Sequence, residues 1–158
     1  MKIRVGFGYD LHRLEEGREF RLGGIKIDHT KGAMGHSDAD VLIHAICDAL
    51  LGAANLRDIG YHFPDSDQKY KGIESTLLLK EVYWLLNSKN WQIGNIDCTI
   101  NLQAPKINKL ILEMRNIISS ILLVDNEDIS IKATTGEGIG IIGREEGVAA
   151  YVVVLIHK

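Results

Sequence analysis

Two short segments combine histidine and carboxylate side chains at spacings that suit a metal ion. In GYDLH, Asp10 and His12 stand two residues apart in an alternating pattern, so both side chains leave the same face of a predicted strand. His44 lies further along, inside an amphipathic helical pattern. Two imidazoles and one carboxylate are a ligand set of catalytic zinc sites, which keep a fourth position open. The alternative is that His44 is a structural residue of the core, which is the commoner role for a lone histidine.

The segment around His44, GHSDADVLIHAICDALLGAA, predicts a helix that begins near Ser37. Ser37 followed three residues later by Asp40 matches a capping box. His36 then lies just before the helix and His44 lies two turns inside it. Asp40 and Asp48 share the helix face of His44, at i−4 and i+4, and we expect either carboxylate to bind its second ring nitrogen.

Residues 132–147, KATTGEGIGIIGREEG, combine threonines at the end of a strand pattern with closely spaced glycines. The charged residues in this segment are Lys132, Glu137 and Arg144. Taken alone, the segment is best interpreted as a mobile β-hairpin, because glycine supplies turn geometry. It contains the spacing GxGxxG, but no strand-to-helix context of a dinucleotide-binding fold surrounds it.

Two other polar segments could contact a ligand. In QAPK, Pro105 is predicted to occupy the first turn of a helix beside Lys106, where free N–H groups and the helix dipole favour an anion. Most helices that start with proline are nevertheless only structural. RDIGYHFPDSD, with Asp58, Asp65 and Asp67, predicts a polar loop, and such acidic loops usually face water.

The periodicity of the chain predicts the elements that position these groups. The first 28 residues alternate as strands, and spacings of three and four predict helices over 38–56, 74–89 and 106–123. WQIGNIDCTINLQ, DISIKATT and GVAAYVVVLIH are rich in strand-forming residues. The fold class is therefore α/β, as an α+β sandwich. We expect a mixed β-sheet of four to five strands with helices on one face.

The last predicted strand implies an oligomer. VAAYVVVLI is almost continuously apolar, which indicates burial on both faces of the sheet. Three helices can cover only one face of a sheet of this size. We therefore expect sheets of several subunits to pack against one another.

Composition limits the class of protein. With 158 residues, of which 46% are hydrophobic, the chain can form a core of its own, and nothing marks a linker, so one domain over 1–158 is expected. The net charge of −3 and the absence of a basic run argue against nucleic-acid and anionic-membrane partners. No long apolar segment or leader is visible, so we predict a cytoplasmic protein.

GYDLH, GHSDADVLIHAICDALLGAA, DIGYHFPDSD, NIDCTINLQAPK and KATTGEGIGIIGREEG, in this order and at these intervals, closely resemble the 2-C-methyl-D-erythritol 2,4-cyclodiphosphate synthase family. The resemblance runs from about residue 2 to the C terminus, and the SDADVxxH segment is highly specific for that family. It implies conversion of 4-diphosphocytidyl-2-C-methyl-D-erythritol 2-phosphate into the cyclodiphosphate and CMP. This reaction belongs to the non-mevalonate route to isoprenoid precursors. The resemblance also implies a homotrimer with active sites between adjacent subunits.

The same resemblance assigns metal ligands. It implies that Asp10, His12 and His44 bind zinc and that Glu137 binds a second divalent cation, Mg²⁺ or Mn²⁺. Zinc with an open position can take a phosphate oxygen, and a harder cation can bridge two phosphates.

The resemblance further implies that His36 and Thr135 stabilise the transition state. It places cytidine against residues 102–108, and methylerythritol phosphate against residues 58–60 and 63–67. The substrate-binding residues implied in this way are Asp10, His12, His36, Ser37, Asp58, Ile59, Gly60, Phe63, Pro64, Asp65, Ser66, Asp67, Leu102, Gln103, Ala104, Pro105, Lys106, Ile107, Asn108, Thr134, Thr135, Gly136, Glu137, Ile141 and Arg144.

Two other functions fit a zinc site of this composition. One is a zinc-dependent phosphoesterase, which holds hydroxide in the open position. The other is a non-catalytic trimeric protein that binds metal and nucleotide. In-line phosphoryl transfer depends on positioning and charge neutralisation, so the cyclisation needs no side-chain nucleophile. The three functions differ in their products: cyclisation releases CMP without consuming water, hydrolysis consumes water, and a binding protein turns over nothing.

Overall fold

The computed structural model describes all 158 residues. The elements, in chain order, are β1 (Ile3–Glu16), β2 (Phe20–Leu22), β3 (Ile25–Ile27), β4 (Lys31–Met34), α1 (Val41–Ala53), α2 (Ile59–His62), α3 (Ser75–Asn87), β5 (Gln92–Asn101), α4 (Ile111–Leu122), β6 (Ile129–Thr134), α5 (Gly140–Gly143) and β7 (Gly147–His157). Single 3₁₀ turns cover Gln68–Tyr70, Asn108–Leu110 and Asn126–Asp128. None of the helices is long and apolar enough to cross a membrane.

Five strands form one mixed sheet in the order β4-β1-β7-β5-β6. Only β5 and β6 are parallel, and the other neighbours are antiparallel. The short strands β2 and β3 form a separate hairpin. The predicted α/β class and the mixed sheet of four to five strands are confirmed, as are the three long helices, although each helix is shorter than its periodic pattern.

Two glycines let α1 lie directly on β1. A Cβ atom added at Gly8 would stand 1.9 Å from the carbonyl oxygen of Ala45, and Gly6 is similarly confined by Ala49. Only glycine allows the helix to approach the strand this closely. Because side chains alternate along a strand, Asp10 leaves β1 on the same face as the two glycines and points toward the side of α1.

The other face of the sheet is apolar and open along β1 and β7. Val5 and Phe7 are 66% and 64% exposed, and Tyr9 packs on Tyr151 with ring centroids 5.0 Å apart. Within one chain the face of β7 that points away from α1 is open in its middle, where Tyr151 and Val153 are 40% and 45% exposed, although Ala149 on the same face is buried. The second face of β7 is therefore available to another chain, and packing of sheets in a trimer stays a prediction.

Helix α1 begins later than the capping box predicted. Its N-cap is Asp40, whose side chain accepts a hydrogen bond from the N–H of Ile43. The expected start near Ser37 was wrong because Ala39 has a φ of 57°, which excludes helical backbone before Asp40. The Asp40 carboxylate also accepts from two N–H groups of the β2–β3 turn, so it joins that turn to the helix.

The segment 132–147 is not a β-hairpin. β6 and β7 both pair with β5, on opposite sides of it, so the connection between them crosses one strand and contains α5. The glycines allow backbone atoms within this segment to approach one another closely. A Cβ atom at Gly143 would lie 2.1 Å from the carbonyl carbon of Gly138, and one at Gly136 would lie 2.6 Å from the nitrogen of Gly143.

Two loops also differ from the prediction. Pro105 follows a cis peptide bond and lies in a loop, since α4 begins only at Ile111. The prediction that proline starts a helix here was therefore wrong. The predicted acidic loop contains the short helix α2, capped by Asp58. Asp67 likewise caps the 3₁₀ turn that follows. Both aspartates therefore have structural partners.

Candidate active site

The close approach of α1 to β1 brings three side chains together, which we call the metal cluster: Asp10, His12 and His44. Asp10 Oδ2 lies 2.9 Å from His12 Nε2 and 3.0 Å from His44 Nδ1, and the two ring nitrogens are 3.1 Å apart. A tetrahedral zinc ion with ligands about 2.0–2.1 Å away would separate them by roughly 3.3 Å. The three can hold a metal ion, so the predicted convergence is confirmed.

Electrostatics of the metal cluster favour a cation. Burial would raise the pKa of Asp10, but hydrogen bonds from His12 and His44 outweigh it and hold that pKa well below its usual value. Burial would lower the pKa of His12, yet its hydrogen bond to Asp10 raises the net value. A carboxylate that stays ionised between two imidazoles suits a divalent cation.

The partners of the outer ring nitrogens differ from the prediction. His44 Nε2 lies 2.8 Å from Ser75 Oγ and 3.0 Å from Ser37 Oγ. Neither Asp40 nor Asp48 reaches it, so that expectation was wrong. Asp40 is occupied with backbone N–H groups at the helix start, and Asp48 accepts from the N–H of Ile59.

His36 shares a cavity with His12 and His44, but it lies five residues before α1 rather than directly before it, because the helix begins at Val41. Its Nε2 is buried and has no hydrogen-bond partner, which leaves it available to a ligand. It lines a cavity of about 460 Å³, a size that suits a small molecule. The other residues that line this cavity are His12, Gly35, Ser37, His44, Ile59, Gly60, Phe63, Pro64, Asp65, Tyr70, Ile73 and Leu78.

A second group of predicted site residues meets at the ends of β5 and β6. We call residues 102–108 and 134–138 the loop cluster. Gln103 Oε1 accepts from the N–H groups of Gly136 and Gly138, at 3.2 and 3.4 Å. Thr135 Oγ1 donates to Glu137 Oε1 at 3.1 Å. The structure therefore joins the two segments, and leaves the carboxylate of Glu137 exposed.

The two clusters do not meet within one chain. Asp10 is aligned across the sheet with Ala150, Ile100 and Ala133, which places β1 and β6 three strands apart. At about 4.8 Å per strand, that separation is roughly 14 Å. Both clusters lie at the same end of the sheet, but none of the loop cluster lines the cavity of about 460 Å³.

Four further predicted residues lie outside that cavity. Ile141 lines a separate hollow beside the end of β1. Arg144 pairs with Glu146 through Nε at 2.9 Å and a second nitrogen at 3.1 Å. Ser66 and Asp67 belong to the segment next to the cavity but do not line it.

Comparison with known proteins identifies the group to which this architecture belongs. The sequence profile described as the YgbB family matches residues 3–157. The chain belongs to the YgbB family. The 2-C-methyl-D-erythritol 2,4-cyclodiphosphate synthase of Bacteroides fragilis is 58% identical over 158 residues, which cover 100% of this chain and 99% of that protein. Membership and the metal cluster together indicate use of a divalent metal.

Solved structures give the same result. The bifunctional IspDF of Campylobacter jejuni superposes with a TM-score of 0.94 at 41% identity over 98% of this chain, which spans 42% of that longer chain. The IspF CDP complex of Plasmodium falciparum superposes with a TM-score of 0.85 at 34% identity, covering 98% of this chain and 95% of that one. Structural neighbours of this YgbB-family chain thus include one that holds a cytidine nucleotide.

Sequence reasoning missed Ser75, which contacts the metal cluster of this YgbB-family chain. Ser75 stands 31 residues after His44, at the first position of α3, and there it resembles an ordinary helix start. Tyr70 and Ile73 of the cavity were also missed, and no signal in their types or spacing distinguishes them. Asp38 belongs to the SDADVxxH segment, but nothing in that segment indicates its contact with Ser75.

Proposed function

We propose that this chain is a 2-C-methyl-D-erythritol 2,4-cyclodiphosphate synthase formed by a single domain over residues 1–158. Its reaction joins the 2-phosphate of 4-diphosphocytidyl-2-C-methyl-D-erythritol 2-phosphate to the β-phosphorus of the same molecule. The bond from that phosphorus to CMP breaks, and CMP leaves with the bonding electrons. The observation that carries the proposal is the convergence of three metal-ligand atoms beside His36, in a chain 58% identical to a curated synthase.

The metal cluster fits zinc. Asp10 Oδ2, His12 Nε2 and His44 Nδ1 are nitrogen and oxygen donors of the types that catalytic zinc sites use. A zinc ion held there would supply positive charge and an open coordination position for a phosphate oxygen. Glu137 offers the hard oxygen ligand that Mg²⁺ or Mn²⁺ prefers.

His36 and Thr135 are proposed to stabilise charge on the transferred phosphoryl group. The free Nε2 of His36 can donate a hydrogen bond into the cavity. Thr135 can turn its hydroxyl from Glu137 to a phosphate oxygen. Donors fixed where charge develops act most strongly in the transition state. The methylerythritol phosphate would bind in the cavity, which is lined by Ser37, Ile59, Gly60, Phe63, Pro64 and Asp65.

We propose that the active enzyme is a homotrimer in which the metal cluster of one subunit faces the loop cluster of the next. The separation of the clusters within one chain and the open apolar face of β1 and β7 support it. Light scattering should give three times the chain mass of 17.6 kDa. A stable monomer that turns over substrate would contradict the shared site.

We propose that residues 102–108, with Lys106, bind the cytosine end. The first turn of a helix is not available there, so the donors and acceptors come from loop backbone. The CDP complex of the relative from Plasmodium falciparum supports binding of a cytidine nucleotide by this fold. The uridine analogue of the substrate should turn over more slowly, and equal turnover would refute base recognition by this segment.

Incubation with substrate in ¹⁸O-water, followed by mass spectrometry, tests the reaction. The cyclisation predicts CMP and a cyclic diphosphate, both without ¹⁸O. Incorporation of ¹⁸O into a phosphate product would instead identify a phosphoesterase. Recovery of intact substrate from zinc-loaded protein would leave a binding protein as the function.

A further inference from the structure

The outer nitrogen of His44 faces a buried hydrogen-bonded chain that the metal cluster does not include. Ser75, fully buried, places Oγ 2.8 Å from His44 Nε2. The same hydroxyl donates a hydrogen bond to Asp38 Oδ1, and the N–H of Ser75 donates to Asp38 Oδ2 at 3.0 Å. Asp38 therefore accepts two hydrogen bonds from the first residue of α3.

The protons in this chain can be assigned. A carboxylate only accepts hydrogen bonds, so the single hydrogen of the Ser75 hydroxyl points to Asp38. The remaining contact of Ser75 Oγ, to His44 Nε2, then requires that the imidazole donate. Nε2 of His44 therefore carries a hydrogen. An ion bound by the metal cluster would take the lone pair of Nδ1, in place of the hydrogen that Nδ1 otherwise donates to Asp10 Oδ2 at 3.0 Å.

His12 is held in the opposite tautomer by a different device. Its Nδ1 lies 2.9 Å from the carbonyl oxygen of Met34, which can only accept. Nδ1 of His12 therefore carries a hydrogen, which leaves Nε2, 2.9 Å from Asp10 Oδ2, as the ring atom that a metal ion would take. A backbone carbonyl thus orients the ring of His12, whereas side chains, which can be changed by mutation, orient the ring of His44.

Ser37 cannot fix the tautomer of His44 by itself. Its Oγ lies 3.0 Å from His44 Nε2 and accepts from the N–H of Ala39, but no acceptor takes its own hydrogen. The Ser37 hydroxyl can thus donate to the imidazole or accept from it. Only Ser75 has its hydrogen committed elsewhere.

We infer that Ser75 and Asp38 are positioning residues that set the tautomer of His44, so that its Nδ1 is presented to the metal. The inference rests on the proposed function, because it concerns the proposed zinc site. Groups that orient a metal-ligating histidine in this way typically change metal affinity by about tenfold to a hundredfold when they are removed.

Asp38→Asn is the sharpest test, because it preserves size and shape. The N–H of Ser75 needs an acceptor, so it takes the amide oxygen and leaves the amide NH₂ facing Ser75 Oγ. The Ser75 hydroxyl is then free to donate to His44 Nε2, which moves the imidazole hydrogen to Nδ1, where a metal would bind. We expect zinc affinity, measured by chelator competition, to fall by about tenfold to a hundredfold.

The hydrogen on Nε2 is observed directly in zinc-loaded protein by ¹H and ¹⁵N NMR of the His44 ring. We expect a hydrogen-bonded Nε2–H signal in the unmodified chain and a signal shifted toward that of a free imidazole N–H in Asp38→Asn. Ser75→Ala removes the acceptor and should also weaken zinc binding. Ser88→Ala is the matched control, since that hydroxyl of the same helix bonds only to the carbonyl of Leu85.

An Nε2–H signal in zinc-loaded Asp38→Asn like that of the unmodified chain, together with unchanged zinc affinity, would overturn the inference. If Ser75→Ala fails to fold, Asp38→Asn decides alone. Failure of the unmodified chain to bind zinc would reject the proposed metal site instead, whereas tight zinc binding by the unmodified chain with unchanged affinity in both variants would reject only the role of Ser75 and Asp38.

Discussion

The metal cluster and the loop cluster are constructed in different ways. The side chains of Asp10, His12 and His44 are 25%, 17% and 12% exposed, and each is held by hydrogen bonds within its own chain. In the loop cluster, Thr135 and Glu137 are exposed and bond mainly to each other. One cluster is preorganised by the fold, and the other needs a ligand or a neighbouring subunit to complete it.

Substitutions in the two clusters should therefore have different effects. A substitution in the metal cluster should remove the ion or displace β1 or α1, because the ligands belong to these two elements. A change in the loop cluster should weaken contacts with substrate and leave the metal in place. Metal content and stability, measured beside kcat and KM, therefore distinguish the two regions.

The largest effect is expected from His44→Ala. It removes one of three protein ligands, so we expect zinc content to fall to near zero and turnover to be lost with it. Zinc analysis of the purified protein measures this. His157→Ala, at the far end of β7, is the control and should retain stoichiometric zinc. Full zinc occupancy in His44→Ala with a lower Tm would show that His44 is only a core residue.

Gly8→Ala should separate α1 from β1. Its Cβ would collide with the backbone of Ala45, so we expect destabilisation of about 3 kcal/mol and weakened zinc binding. Denaturant unfolding of the metal-free protein measures the first quantity. Gly52→Ala is the matched control, because a Cβ at that helical position meets nothing within 4 Å and alanine favours helix. Equal stability of the two variants would reject the close contact.

His36→Ala should keep stoichiometric zinc and lose mainly kcat, by about a hundredfold, because the side chain donates to charge that develops in the transition state. Steady-state kinetics beside zinc analysis measures both. A rise in KM with unchanged kcat would mean instead that His36 binds ground state and transition state equally. Loss of zinc would place His36 among the ligands.

Gln103→Ala tests the loop cluster and should have the smallest effect. Without the amide oxygen, the N–H groups of Gly136 and Gly138 lose their acceptor and the loop loosens. We expect KM to rise about tenfold, equivalent to about 1.4 kcal/mol, with zinc content unchanged. Gln92→Ala, at the opposite end of β5, is the control. Loss of zinc in Gln103→Ala would mean that the clusters are coupled within one chain.

Much of the metal cluster could be predicted from the sequence, because strand periodicity alone puts Asp10 and His12 on one face. Their meeting with His44 could not, since it depends on which helix packs on β1. Gly6 and Gly8 were the available signal: a strand with glycine at alternate positions invites close approach of another element. The resemblance to a known family supplied the ligand set that periodicity left open.

The remaining errors have local causes. The capping box placed the helix start at Ser37, but the positive φ of Ala39 delayed it to Asp40. Glycine density in 132–147 suggested a hairpin because sequence alone does not reveal that β5 separates β6 from β7. Ser75 was missed since a contact across 31 residues leaves no periodic trace.

The glycine-mediated contact of α1 with β1 also links metal occupancy to the folding equilibrium. The three ligand atoms converge only while helix and strand are docked, so an ion that binds them has little affinity for the unfolded chain. A free-ion concentration a thousand times the dissociation constant would then add about 4 kcal/mol to the free energy of unfolding. The ion thereby acts as a reversible cross-link between two segments some thirty residues apart, and its escape is tied to local opening of that junction.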